Sequence, residues 1–483
     1  MARLPIHSWR WNMNAHKATI VVDLGFGDAG KGTIVDFLSR TGAVSTIVRF
    51  NGGAQAGHNV ITPEGVHHTF SQFGSGSLVP YIRTHLSRFM LLDPVALINE
   101  ANYLRSIGCG DMFVRLTVDE NALVVTPFQK AANRIREVMR GLGNHGSCGM
   151  GIGETMADSI AFPDTSVHAR DLRNIGTLTQ KMRAIQEIKR EEFRDALPFL
   201  EHGFRIGSDT RIISDARAPE VFAQTLYDRS EYLRVVPSSY LDFLFASGSV
   251  IFEGAQGVLI DEWHGFHPYT TWSTTTFANA EELLRDGHYD GPVQRLGVLR
   301  AYFVRHGPGP FPTEDPLLSV ALPDIHNRKG RWQGNVRVGW FDAVLARYAL
   351  EVCGGVDALA ITNLDRFLRV DDRRISVGYD VLRDAIGAKL SGIIEADITG
   401  PSPYARVTRL KTKPDLTDLS YQEAMTAMLN VAKPIYQDAP RDNEQYLSLL
   451  EQRIGVPVGI ESWGETALQK HFRLTAGLQR SAA

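Results

Sequence analysis

Residues 18 to 40 read ATIVVDLGFGDAGKGTIVDFLSR, and their reading decides the fold. Ile20, Val21, Val22 and Leu24 make a short apolar run of the kind found in buried parallel strands. The run breaks into Gly25-Phe26-Gly27-Asp28-Ala29-Gly30-Lys31-Gly32, after which Ile34, Val35, Phe37 and Leu38 recur at helical spacing. Strand, glycine loop and helix in this order suit a phosphate, because loop amides and the helix N-terminus converge on an anion. Gly25 to Lys31 fits the G-x-x-x-x-G-K pattern, yet Gly32 stands where a P-loop keeps its Ser or Thr, and Thr33 follows one residue late. A metal would then need another ligand, and Asp28 inside the loop is the candidate.

Outward from that unit, strand ends repeatedly run into polar or glycine-rich loops. The stretch from Ser45 to Phe50 reads as a strand entering Asn51-Gly52-Gly53-Ala54-Gln55-Ala56-Gly57-His58. Val250 to Phe252 enters Glu253-Gly254-Ala255-Gln256-Gly257, and Leu296 to Val304 enters His306 to Glu314 with three prolines. Ala358 to Thr362 ends in Asn363-Leu364-Asp365, and Val456 to Ile460 closes on Ser462-Trp463-Gly464. Open α/β sheets bind ligands at the carboxyl ends of their strands. A carboxylate in the Asn/Lys-x-Asp setting accepts two hydrogen bonds from a guanine edge.

Other stretches are less decisive. Phe113 to Val118 reads as a strand, and residues 129–141 as a helix. The glycine-rich run 141–153 is either a mobile linker or an active-site cover. Residues 176–205 read as a solvated helical face. His264 and His267 beside Asp261 and Glu262 are a conceivable metal site that lacks a third histidine or cysteine. Arg328, Lys329, Arg331 and Arg337 make a basic loop suited to a carboxylate or phosphate.

The chain has 483 residues, 43% hydrophobic and 22% charged, with a formal charge of -3. Such a balance argues against nucleic acid or a membrane surface as partner, and no apolar run reaches the roughly 18 residues of a membrane span. Residues 1–17 lack the apolar core of a signal peptide and are expected to be a loosely held tail. Cys109, Cys148 and Cys353 lie far apart, as reduced thiols in a cytoplasm do. The expected fold is α/β, with a large, mainly parallel central sheet, flanking helices and a P-loop-like phosphate loop. Residues 18–483 form one domain in this reading, with helical insertions at approximately 141–245 and 375–430.

In this order the pieces resemble adenylosuccinate synthetase, the GTP-dependent ligase family that joins aspartate to the 6-position of IMP. The family's GDEGKG loop is matched by Gly27 to Gly32, its GGxNAGH by Gly52 to His58 and its FEGAQG by Phe252 to Gly257. GAGPFPTE is matched by Gly307 to Glu314, TKLD by Thr362 to Asp365 and STG by Ser462-Trp463-Gly464. These six collinear motifs reach from about residue 18 to the C-terminus.

The resemblance implies roles for individual residues. Asp28 takes the purine N1 proton and also binds magnesium, with the Gly57 carbonyl as second protein ligand. Lys31 neutralises phosphate, His58 acts as the acid at the transferring oxygen, and Gln256 orients the base edge. Gly27, Asp28, Ala29, Gly30, Lys31, Gly32, Thr33, Gly57, His58, Asn59, Asn363, Leu364, Asp365, Ser462, Trp463 and Gly464 would hold GTP, with ATP as an alternative donor. Gln55, Ala56, Ser147, Cys148, Gln256, Thr271, Gly334, Asn335 and Arg337 would hold the purine substrate and aspartate. A homodimer is also implied.

Departures concentrate at the substrate end. Ala29 replaces the loop glutamate and Gln55 an asparagine. The family's phosphate loop TTGRGIGP becomes Gly146-Ser147-Cys148-Gly149-Met150-Gly151-Ile152-Gly153-Glu154, and the arginine that reaches across the dimer would fall near Phe162. In place of TTGRRRRTGW there is Gln333 to Trp340 with the single Arg337. Compensation would need an arginine such as Arg170, Arg173 or Arg183. The expected activity is a GTP- and magnesium-dependent C–N ligase acting on a 6-oxopurine nucleotide and aspartate. Alternatives are a ligase for another oxo acceptor (dGMP or a nucleoside analogue) or another amino acid, or a non-catalytic nucleotide-binding regulator.

Overall fold

The computed structural model describes residues 16–110, 112–141, 145–200, 206–324, 334–397 and 401–473. Residues 1–15 of the expected N-terminal tail and Arg328, Lys329 and Arg331 lie outside those residues, while Lys17 is tied to the sheet through Ser249 and Val250.

A ten-stranded sheet organises the molecule. From one edge its strands are Lys470–Phe472, Val458–Ser462, Ala358–Thr362, Val293–Arg300, Ala18–Asp23, Ser249–Glu253, Val44–Arg49, Arg83–Leu86, Leu116–Asp119 and Val235–Val236. Nine run parallel, and only the edge strand Lys470–Phe472 is antiparallel to its neighbour. The strand Ala18–Asp23 is buried at every position, because a parallel strand covered on both faces must be apolar throughout. It lies between Val293–Arg300 and Ser249–Glu253. The three loops that leave their carboxyl ends are therefore neighbours in space, and this adjacency builds the site.

The structure refines several expectations. Phe113–Arg115 is a 3-10 turn, and the strand starts at Leu116. The predicted strand Leu296 to Val304 is two: Val293–Arg300 stays in the sheet, while Phe303–His306 leaves it to pair antiparallel with Val336–Gly339. The helix Ile175–Glu192 is no solvated face. It buries Leu178, Met182, Ile185 and Lys189, and the Lys189 ammonium meets Glu154, Asp158 and Glu192 at 3.3, 2.7 and 2.9 Å. A charge-rich composition hid this packing, since three carboxylates neutralise one buried cation.

The described residues of region 141–245 are mainly helical. Region 375–430 mixes strand and helix: Arg374–Leu382 pairs antiparallel with Tyr404–Leu410 and, beyond the region, with Lys433–Asp438, while Ser420–Val431 is a helix. Among the described residues no helix is long and apolar enough to cross a membrane.

Candidate active site

A cleft of about 950 Å³ opens at the carboxyl ends of the central strands. Asp23, at the last position of its strand, sets the shape of the first loop. Its Oδ1 accepts the Gly25 amide at 2.8 Å, and its Oδ2 accepts the Ala29 amide at 2.8 Å and Lys31 Nζ at 3.1 Å. Lys31 also donates to the Gln256 carbonyl at 2.8 Å. With Ala29 N–H turned back into the protein, and its carbonyl accepting Thr362 Oγ1 at 2.6 Å, Ala29 does not present the phosphate-binding amide expected of it. Asp28 is thrown into the cleft with φ 59°, a left-handed conformation that costs a non-glycine residue about 1–3 kcal/mol. Its carbonyl is held by Arg300 Nε at 2.6 Å, while His306 Nδ1 stands 3.9 Å from its carboxylate. Burial raises the Asp28 pKa, opposed by the positive charges of Arg300, His306 and Lys31.

The second loop docks on the first and third. Asn51 donates Nδ2 to the Ala255 carbonyl at 3.0 Å and accepts the Ala255 amide at 2.7 Å, tying loop 51–58 to loop 253–257. His58 lies over the helix that begins at Lys31. A Cβ at Gly32 would come within 2.7 Å of the His58 Cβ, so the Ser or Thr of an ordinary P-loop has no room there. Glu253 lies fully buried beneath. Its Oε1 is 2.6 Å from His58 Nδ1 and also accepts Ser75 Oγ, and its Oε2 accepts the Ser75 amide at 2.9 Å. Burial lowers the His58 pKa to about 4 against the pull of Glu253. Burial also acts to raise Glu253, but His58, Arg49 and Ser75 overcome it and hold the carboxyl at about 2. We place the shared proton on Nδ1, leaving Nε2 for the cleft.

Gln256, with φ 58°, presents an Oε1 that is buried without a protein partner. Gln55 lines the same wall with both amide atoms in that state. At the other end of the cleft lie Asn363 (φ 57°), Asp365, Ser462 and Gly464.

Several expected residues take other positions. Leu364 is fully buried in the core, and Trp463 turns its Nε1 to Glu461 at 3.1 Å. Neither side chain lines the cleft, because both continue the apolar face of their elements. Thr33 lines it, but donates Oγ1 to the Glu465 carbonyl at 2.9 Å. Gly334, Asn335 and Arg337 do not line it either. Their carbonyls and guanidinium brace loop 306–314 from behind. The Gly334 carbonyl meets His306 Nε2 at 3.2 Å, and the Asn335 carbonyl accepts the Gly307 amide at 3.2 Å. Arg337 donates to the carbonyls of Gly307 and Gly309 at 3.0 and 2.8 Å, and Arg305 to those of Pro308 and Pro310 at 3.0 Å each. Two arginines thus take four successive carbonyls in alternation. The prolines supply no N–H, so the loop has few internal partners for those acceptors.

The glycine-rich run forms a wall: His145, Gly146, Ser147, Cys148, Ile152, Gly153 and Glu154 line the cleft together with Gln55, Thr271 and Trp272. Burial raises the Cys148 thiol. Arg170, Arg173 and Arg183 are occupied elsewhere, with Asn121, the Val235 carbonyl and Glu220, and none lines the cleft. The His264 and His267 pair is no metal site. Asp261 spends its carboxylate on the amides of Trp263, His264 and Thr275, and among the described residues no group of three or more His, Cys, Asp or Glu side chains is arranged to hold a metal. Sequence reasoning missed Asp23, Asn51, Arg300 and the service Glu253 gives His58. The signal available was polarity at the last residue of an otherwise apolar strand.

The profile of the adenylosuccinate synthetase family matches residues 20–470. The chain belongs to that family. Adenylosuccinate synthetase of Thermoplasma acidophilum is 30% identical over 466 residues, covering 94% of this chain and 97% of that one. The Frankia alni enzyme is 31% identical over 448 residues, covering 91% and 95%. Among solved structures, a fully ligated adenylosuccinate synthetase from Plasmodium falciparum superposes with a TM-score of 0.74 at 18% identity, covering 94% of this chain and 99% of that one. Succinoaminodeoxyadenylate synthetase of cyanophage S-2L, bound to dGMP and dATP as an energy donor, superposes with a TM-score of 0.56 at 18% identity, covering 95% and 96%. Family membership makes the chain a C–N ligase of the adenylosuccinate synthetase type. Of the loops that depart from the family pattern, the run His145 to Glu154 lines the cleft, whereas Gly334 to Trp340 does not.

Proposed function

We propose that the chain uses GTP and magnesium to phosphorylate the 6-oxygen of an oxopurine and then replaces that phosphate with the amine of aspartate. The observation that carries this reading is the convergence of Asp28 and Gln256, both held in left-handed conformations, on one cleft with His58. Strain kept at two adjacent ligand-facing positions is characteristic of functional loops.

Asp28 removes the purine N1 proton, and the resulting 6-oxyanion attacks the γ-phosphorus while the bond to GDP breaks. Gln256 orients the base edge. His58 Nε2 faces the transferring group, and the arriving phosphate charge favours the protonated imidazole that can donate to it. The amine then adds at C6 and inorganic phosphate departs. The Asp28 carboxylate and the Gly57 carbonyl are oxygen donors at the cleft, the type that magnesium takes alongside substrate phosphates. Among the described residues no hydrogen-bond donor occupies the Asp28 carboxylate, so the donor set fits the ion. Magnesium bound there would neutralise charge on the triphosphate. Asp365 serves guanine at the far end.

A second reading concerns the donor. Asn363 stands where the family has lysine, and the cyanophage relative holds dATP, so an adenine nucleotide is the alternative triphosphate. A homodimer and a cytoplasmic setting accompany the proposal, by family analogy.

Phosphate release is measured with GTP or ATP, an oxopurine and an amino acid, and the products are weighed by mass spectrometry. Asp28→Asn is expected to lower turnover by about 10²–10⁴ while nucleotide binding persists. A variant keeping more than about a tenth of the wild-type rate removes Asp28 from the role of base. Nucleotide binding without phosphate release in any combination would favour the non-catalytic nucleotide-binding alternative.

A further inference from the structure

Three neighbouring strands of the central sheet end on the same turn of the first loop. Asp23, Arg300 and Thr362 are the last residues of Ala18–Asp23, Val293–Arg300 and Ala358–Thr362, which lie side by side. Each grips a different backbone atom of two adjacent residues. Arg300 Nε donates to the Asp28 carbonyl at 2.6 Å, Asp23 Oδ2 accepts the Ala29 amide at 2.8 Å, and Thr362 Oγ1 donates to the Ala29 carbonyl at 2.6 Å. The Asp28–Ala29 peptide is therefore held at both of its polar atoms, by a guanidinium on one side and a carboxylate on the other. Rotating it would break two charge-assisted hydrogen bonds at once.

The φ of 59° at Asp28 is a conformation that a residue with a side chain keeps only where its surroundings over-determine it. Of the three grips, only that of Arg300 acts on Asp28 itself. Arg300 is braced in turn. Its Nη2 donates to Asp324 at 3.1 Å, in a pair whose side chains are only 9% and 6% exposed, and the carbonyl of the preceding Pro323 accepts Arg366. A buried guanidinium with a carboxylate on one prong and a carbonyl on another has little freedom to turn.

We propose that Arg300, braced by Asp324, is a positioning residue that holds the Asp28–Ala29 peptide and so aims the Asp28 carboxylate into the cleft. The role deepens the proposed ligase reading and rests on Asp28 as its base. Arg300 lines the same cleft, so the opposing reading is a direct contact with phosphate. The two differ in what they move. A guanidinium on phosphate contributes whether or not Asp28 is intact, whereas one that acts through Asp28 has no effect of its own once Asp28 can no longer take the proton.

The test combines Arg300→Gln, Asp28→Asn and the double variant of the full chain. Each is measured for kcat and for equilibrium binding of GTP with magnesium, and a crystal structure is determined of Arg300→Gln. That variant alone is expected to lower kcat at least about tenfold, since a small misplacement of a reacting group costs up to about 10²-fold. On the Asp28→Asn background the same change is expected to move kcat and the GTP dissociation constant by less than about threefold. In the crystal structure, Asp28 is expected to leave the left-handed region. A smaller loss in the single variant, or a further loss beyond threefold in the double variant, overturns the proposal. So does an Asp28 that keeps its conformation without Arg300. If Arg300→Gln does not fold, Asp324→Asn, which removes the brace and leaves Arg300 in place, is read by the same comparisons. Should Asp28→Asn keep more than about a tenth of the wild-type rate, the base role fails, while the conformation of Asp28 in Arg300→Gln still judges the clamp separately.

Discussion

Nδ1 of His58 lies 2.6 Å from Oε1 of Glu253, and the carboxylate is fully buried beneath the ring. The pair joins a residue of loop 51–58 to the end of the adjacent strand Ser249–Glu253. Glu253 thereby fixes the tautomer and the orientation of the imidazole that lines the cleft.

Replacing Glu253 by Gln keeps the shape and removes the charge. Loss of the orienting carboxylate is expected to lower kcat by about 10²-fold, with KM for GTP changed less than about threefold. Steady-state kinetics check this, and thermal unfolding of the same variant separates it from simple destabilisation. A kcat within threefold of the wild type would falsify the orienting role.

Asp365 lines the cleft and keeps its carboxylate half-buried. Asp365→Asn is expected to weaken GTP by about 1.5–3 kcal/mol, the worth of hydrogen bonds to a charged acceptor. Competition between GTP and ATP reads this directly. Equal use of both by the unmutated chain would show that Asp365 does not read guanine.

Gly32→Ser restores the hydroxyl of an ordinary P-loop in the wrong surroundings. The added Cβ meets the His58 Cβ at 2.7 Å and the His58 backbone carbon at 3.2 Å. Overpacking of this kind costs about 1–3 kcal/mol. Denaturant unfolding should show that loss, and activity should fall with it because His58 moves. Full activity and unchanged stability would mean the loop yields freely.

His85 is fully buried on the strand Arg83–Leu86, with Nδ1 2.9 Å from Thr117 Oγ1. Burial lowers its pKa to about 3. Its folded value lies below the unfolded one near 6.5, so the unfolded chain takes up the proton first and stability is lost as pH falls below about 6.5. At pH 5 this one group removes about 2 kcal/mol relative to pH 7. The comparison is stability from pH 7 to pH 5 for the wild type and His85→Gln, and the variant should show the shallower loss. Parallel profiles would refute the assignment.

The fold was legible because its signals are local. Alternating apolar runs and glycine-rich strand ends are written within ten residues of one another, and the strand before Gly25 could be read from its own side chains. The order Asp28, His58, Gln256, Asp365 along the chain likewise marked the residues that line the cleft. The charge-rich helix Ile175–Glu192 was misread because its buried Lys189 is neutralised by Glu154 and Asp158, one helix away.

By itself the sequence determined the parallel α/β sheet, the family and several acidic, basic and amide residues that line the cleft, since each of these depends on residue type and short spacing. The tertiary structure alone decided which of those groups remain free. Whether Arg337 meets a substrate or two carbonyls of a proline-rich loop, whether Ala29 N–H faces phosphate or Asp23, and whether Arg140 is available or paired with Glu137 are questions of pairing between distant segments. A buried charge or amide takes the nearest partner of opposite sense, because leaving it unpaired costs more than any local preference supplies. That partner is chosen by packing, and packing is set by the whole chain.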